Sequence, residues 1–169
     1  MTSPMYTNSV PVFKQLLTAM KTILQTTSDQ VAAKSMDADA FLQARLFPDM
    51  FPLVKQVQIA CDFARGISAR LAGVDVPAHD GNEASFADLD ALLAMTLAFV
   101  DGLDAATFEG SEGREIVLRP GTPKERKLGG QAYLSTYGLP QFFFHVTTTY
   151  AILRHNGVAI GKKDYMGAY

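Results

Sequence analysis

Residues 139–167 set a His, three Thr, a Tyr, an Arg and a second His into an otherwise apolar helical pattern. Polar groups on a buried helix face must find partners or do chemistry. His145 is the first candidate, since a His in an apolar stretch can serve as a ligand or a general base. Thr148, Thr149, Ile152 and Asn156 lie on its side of an ideal helix. The plainer alternative is a core His bonded to a carbonyl or a Tyr. His155 and Arg154 fall in the last turn before Gly157, where cations meet the helix C-terminal dipole, so both read as caps. His145 and His155 cannot hold one ion together: ten residues rise about 15 Å along a helix and leave the two about 80° apart. An i,i+4 His pair, the arrangement of the zinc-protease helix, is missing too, because Thr149 follows His145 by four and Ala151 precedes His155 by four.

The remaining chemistry is thinner. His79 and Asp80 form either part of a mixed site with His145 or a solvated turn, and zinc wants three or four protein ligands. Arg45 and Asp49 stand at the entry to the second helix. Arg45 suits a substrate carboxylate, and the alternative is an Arg45–Asp49 pair that fixes the chain entry. Gln56, Gln58 and Asp62 lie beside that helix's apolar seam, with Gln58 and Asp62 as i,i+4 partners and Asp62 expected in solvent. Cys61 sits alone on the seam. A nucleophile would need a base and exposure, so it reads as packing. Lys124, Arg126 and Lys127 interleave with Glu125 and are offset by Glu109, Glu112 and Glu115, which reads as a solvated hairpin face. The Gly pairs lack phosphate-loop spacing, and no Ser-nucleophile motif occurs.

Four helices must position these groups. The first is expected over 9–27 from Phe13, Leu16, Leu17, Met20, Ile23 and Leu24, with Ser28-Asp29 interrupting it. A short helical piece at 37–45 follows, capped by Asp37. The second runs from about Asp49 to Gly73, with Val54, Val57, Cys61, Ala64, Ser68 and Leu71 inside and Gly66 permitting close helix contact. Residues 74–84 are a loop. Ser85 caps the third helix, with Asp88 three residues on, and it ends near Leu103. Residues 109–127 carry turn signals around β-formers, predicting a hairpin of 114–119 and 124–128. Gly129-Gly130 reads as a hinge, a short turn of helix follows over 132–137, and the fourth helix starts near Pro140 and stops at Asn156-Gly157. The tail 158–169 packs back on the bundle. The fold class is mainly all-α: a four-helix bundle with a small β-hairpin between its third and fourth helices, one domain over 1–169.

Composition narrows the function. The chain has 169 residues, 48% hydrophobic and 19% charged, with a net charge of −2. A nucleic-acid binder needs a basic face, and none is evident. The single Cys excludes an internal disulfide and fits a reducing compartment, so a cytoplasmic location is expected. No signal-peptide pattern opens the chain. The longest apolar run, 91–100, is far short of the roughly 20 residues of a membrane helix.

Four segments together resemble a known family: Arg45-Leu46-Phe47-Pro48-Asp49-Met50, residues 139–148 (LPQFFFHVTT), residues 150–157 (YAILRHNG) and Gly161-Lys162-Lys163-Asp164-Tyr165. They resemble a branch of uncharacterised bacterial proteins with a domain of unknown function, placed in the DinB/YfiT-like metalloenzyme superfamily. The resemblance implies an up-down-down-up bundle, often a homodimer. It also implies a divalent metal (Zn or Ni) on three His, two of them at i,i+4 on the last helix, and in some relatives a thiol-dependent transferase or isomerase activity. This chain departs from that pattern: the second helix has no His, and only His145 has a similar placement on the fourth. The expected function is therefore small-molecule binding between the second and fourth helices, near His145, Thr148, Thr149, Arg45, Asp49 and Gln58, without the three-His site. The rivals are a divergent metal-dependent thiol transferase, with His145 as one ligand, and a structural dimer or interaction protein.

Overall fold

Apolar residues at three- and four-residue spacing become four long helices in the computed structural model, which describes residues 3–169. The elements are α1 (Pro4–Thr7), α2 (Val10–Ala33), α3 (Ala38–Leu42), α4 (Leu53–Ala72), α5 (Phe86–Asp101), β1 (Glu115–Leu118), β2 (Arg126–Gly129), α6 (Gly130–Ala132), a π-helical segment (Tyr133–Gly138), α7 (Leu139–His155) and α8 (Lys162–Met166). The long helices α2, α4, α5 and α7 bury one continuous core. Phe13 of α2 meets Phe142 of α7 edge to face in it, with centroids 4.8 Å apart.

Pairs of residues fix the helix directions. Lys14–Asp101 and Lys21–Asp90 ion pairs run α2 antiparallel to α5. Gln56 meets His145, and Ile67 lies against Gly138, so α4 and α7 are antiparallel. Contacts at Phe13–Phe142 and Gln30–Gly157 make α2 and α7 parallel. That leaves α4 parallel to α5, so their linker must travel back along a helix about 30 Å long. It does so as a strap: His79 passes Asp62, then Gly81 and Glu83 reach Gln58, nearer the start of α4. The bundle is up-down-down-up.

Several boundaries differ from the sequence reading. Ser28-Asp29 does not end the first helix, which continues to Ala33; Gln25 Nε2 donates to Asp29 Oδ1 at 2.8 Å within it. Asp49 does not cap the second. Helix α4 starts at Leu53, because Pro52 holds the preceding residue out of the α region. The third begins at its expected cap: Ser85 Oγ accepts from Asp88 N–H, and Asp88 Oδ2 accepts from Ala84 N–H, both at 3.1 Å. The fourth starts ten residues early. Gly130 opens it rather than hinging, and Pro140 falls where the π segment ends, so its missing amide costs little in a ladder already interrupted. Ser135 and Thr136 hydroxyls donate to the Gln131 and Ala132 carbonyls in these widened turns.

The hairpin forms nearly as expected. Its antiparallel register pairs Glu115 with Gly129, Ile116 with Leu128, Val117 with Lys127 and Leu118 with Arg126. Arg114 bolts its base to the bundle by donating to the Arg70 and Leu71 carbonyls, which the α4 C-terminus leaves open. The tail packs on α2 through α8, where Gln15 Nε2 donates to the Met166 carbonyl at 2.9 Å. Among the described residues no helix is long and apolar enough to cross a membrane.

Candidate functional site

His145 lies on the buried face of α7 and is 8% exposed. The Gln56 amide of α4 bridges it to the chain entry. Gln56 Nε2 donates to the Phe51 carbonyl at 3.0 Å, which turns Oε1 toward the imidazole, 2.7 Å from Nδ1. Only a protonated nitrogen can donate to that oxygen, so His145 carries its hydrogen on Nδ1 and keeps the Nε2 lone pair. Burial pushes its pKa below the ordinary imidazole value and keeps the ring neutral. Phe63 stacks on it at 5.9 Å and 15°, and Phe144 meets it edge-on at 5.2 Å. The two Thr predicted beside it are buried but turned inward along their own helix. Thr148 Oγ1 donates to the Phe144 carbonyl at 2.7 Å, and Thr149 Oγ1 to the His145 carbonyl at 2.9 Å.

The other predicted site residues have partners other than His145 or stand exposed. Arg45 is exposed and does not pair with Asp49; its Nη1 donates to the Pro48 and Met50 carbonyls, at 3.4 and 3.1 Å, and so fixes the chain entry through backbone. Asp49 is exposed. Gln58 serves the strap: its Nε2 donates to Glu83 Oε2 at 2.8 Å and to the Gly81 carbonyl at 3.1 Å. His79 is no solvated turn residue. Its Nε2 meets Glu83 Oε1 at 2.6 Å, and its side chain is 12% exposed. Burial tends to raise the Glu83 carboxyl, but hydrogen bonds from His79 and Gln58 hold it below the usual carboxylate range. Asp62 is exposed as expected and accepts from Arg65 Nη2 at 2.5 Å. Cys61 is fully buried, and burial pushes its thiol up to about 12.

The three-imidazole set implied by the resemblance does not match these donors. Around His145 stand an amide and two hydroxyls, each already committed to a hydrogen bond. Among the described residues no group of three or more His, Cys, Asp or Glu side chains is arranged to hold an ion.

The family itself is settled by comparison. A family model described as a domain of unknown function, DUF1993, matches residues 5–166. The chain belongs to the DUF1993 family. A crystal structure of a DinB family member protein from Shewanella denitrificans superposes on it with a TM-score of 0.90 and 37% sequence identity. The match covers 97% of this chain and 92% of that one. A search of the curated proteins gave no match. The DUF1993 chain thus has a DinB-like bundle, on which His145 faces α4 through Gln56.

Sequence reasoning passed over part of this neighbourhood. Phe63 reaches beyond His145 to Tyr137, with centroids 6.0 Å apart, and Tyr137 stacks on Tyr133 at 5.8 Å. Arg70 lies over Gly66, where a Cβ would come within 2.6 Å of its Nη1, and donates to the Tyr133 hydroxyl at 3.3 Å. Gly66 therefore makes room for a guanidinium rather than for a neighbouring helix. The signal was the Tyr133–Tyr137 spacing of four, within the short helical turn expected over 132–137.

Proposed function

We propose that this DUF1993 chain binds a small molecule at the seam of α4 and the fourth helix, beside His145, without the metal chemistry of the wider superfamily. One observation carries the reading: His145 is held neutral, with Nδ1 committed to Gln56 and Nε2 free to accept. A neutral imidazole between aromatic rings is suited to accept a hydrogen bond from an apolar ligand's N–H or O–H group. The same buried imidazole would lose this role if protonated.

A fragment screen by protein-observed NMR on the untagged chain tests it. Hits should shift the His145 ring resonances, and His145→Ala should weaken them at least tenfold. Hits indifferent to that substitution would remove the placement. Titration with zinc, nickel and manganese forms the second arm. Submicromolar binding abolished by His145→Ala would favour the metal-dependent transferase instead.

A further inference from the structure

We infer that the groove between the hairpin, α4 and the π-helical segment binds a small aromatic carboxylate, its ring beside Tyr137 and its carboxylate on Arg119 and Arg126. This goes beyond the small-molecule reading above: the groove is a second site, adjoining the His145 seam through Phe63. Two adjoining hollows, of about 190 and 530 Å³, share Leu118, Arg119 and Tyr137 as walls. The larger falls in the roughly 300–1,000 Å³ range of small-molecule sites.

Hairpin register decides which charges face the groove. Cross-strand partners share a sheet face, and so do residues two apart. Ile116 and Leu118 are buried, so their partners Leu128 and Arg126 also belong to the inner face. Lys127 and Glu115 occupy the outer face and pair with each other at 3.6 Å. Arg70, Arg119, Lys124 and Arg126 line the two hollows, and none has a carboxylate partner among the described residues. Of the two carboxylates at the walls, Asp62 is paired with Arg65; Glu125 accepts from the Gly121 N–H at 2.7 Å but keeps its charge, so the larger hollow sets three cations against one carboxylate. A chain with net charge −2 therefore concentrates unpaired cations in one groove.

The other wall is aromatic. Phe63, Tyr133 and Tyr137 form it, and Phe63 is the ring that also stacks on His145. Forked guanidiniums match a carboxylate bidentately, and flat rings match an arene. Backbone strain coincides with the cations: Arg119 has φ +50°, a left-handed conformation unfavourable for a residue with a Cβ and recurrent at ligand clamps.

The test uses the full chain, ¹⁵N-labelled, with 2-naphthoate as probe and 2-naphthamide and inorganic phosphate as controls, read by calorimetry and NMR. Saturable naphthoate binding is expected, with both controls at least tenfold weaker. Arg119→Gln and Arg126→Gln should each weaken it at least fivefold, while Lys127→Gln on the outer face stays within twofold. No saturation at millimolar naphthoate, equal binding of phosphate, or indifference to Arg119→Gln each overturns the proposal. Shifts at His145 and Gln56 without shifts at Arg119 and Tyr137 would overturn the groove while leaving the seam reading intact.

Discussion

His145 shows how a single bond can define a side chain's chemistry. Gln56 fixes its tautomer because the amide nitrogen is already spent on Phe51. Substituting Gln56→Ala should orphan the buried His145 Nδ1–H and cost about 1–3 kcal/mol, measured by urea unfolding, while the Phe51 carbonyl at the exposed chain entry can turn to water. The imidazole also sets a pH dependence. Its folded pKa lies below the ordinary 6.5, so the unfolded chain binds its proton first. Stability contributed at neutral pH is present above 6.5 and is lost as pH falls from there through the folded value. NMR titration of the ring should give an apparent pKa under 6.5, and His145→Gln should flatten the acid limb of stability; a pKa at or above 6.5 would contradict the burial argument. Cys61 is the opposite case, a buried thiol that serves packing alone. Because burial pushes it up to about 12, a disulfide reagent at pH 8 should label it only as fast as the protein opens.

At the scale of elements, glycines mark where the fourth helix meets its neighbours. A Cβ at Gly138 would lie 2.8 Å from Ile67 Cδ1, a flexible side-chain end. A Cβ at Gly130 would lie 1.8 Å from the Ser111 carbonyl oxygen, which is backbone and cannot step aside. Gly138→Ala should therefore cost about 1–3 kcal/mol and be partly relieved by Ile67→Val, whereas Gly130→Ala should cost more and find no such relief. Equal losses in thermal unfolding would mean that the start of the helix is not pinned against Ser111. The helix caps were readable in advance, since Ser85 and Asp37 bond the amides that local spacing predicts. The start of the fourth helix was not, because Pro140 and the Gly pair look like punctuation until the π segment is seen.

Over the whole molecule, α4 is the hub. It packs on α2, α5 and α7, carries the strap along its length through Gln58 and Asp62, and receives Arg114 at its C-terminus. Amide exchange should thus be slowest in the middle of α4 and fast in the hairpin turn and the exposed parts of the strap. Mass-spectrometric exchange showing α4 opening before α5 would contradict this. By contrast, the ion pairs that align α2 with α5 lie at the surface. Their removal should change stability by less than about 1 kcal/mol.

What the sequence determined by itself was the bundle, the hairpin and the place of a His on a buried helix face, because apolar periodicity, caps and turn residues act over a few positions. It also showed that His145 lacks an i,i+4 imidazole, a fact of spacing alone. Only the tertiary structure decided what surrounds that His. Gln56 lies 89 positions away, and Phe63 and Tyr137 come from two different helices. Arg45 and Gln58, grouped with it by the helices they neighbour, spend their hydrogen bonds on their own loops, and Asp49 stands exposed at the chain entry. The hairpin charges read as solvated from composition, and Lys124, Arg126 and Lys127 are indeed exposed; only register and packing show that Arg126 borders a groove with Arg119. Periodicity is local, whereas the pairing of side chains across a bundle is set by how its helices come together.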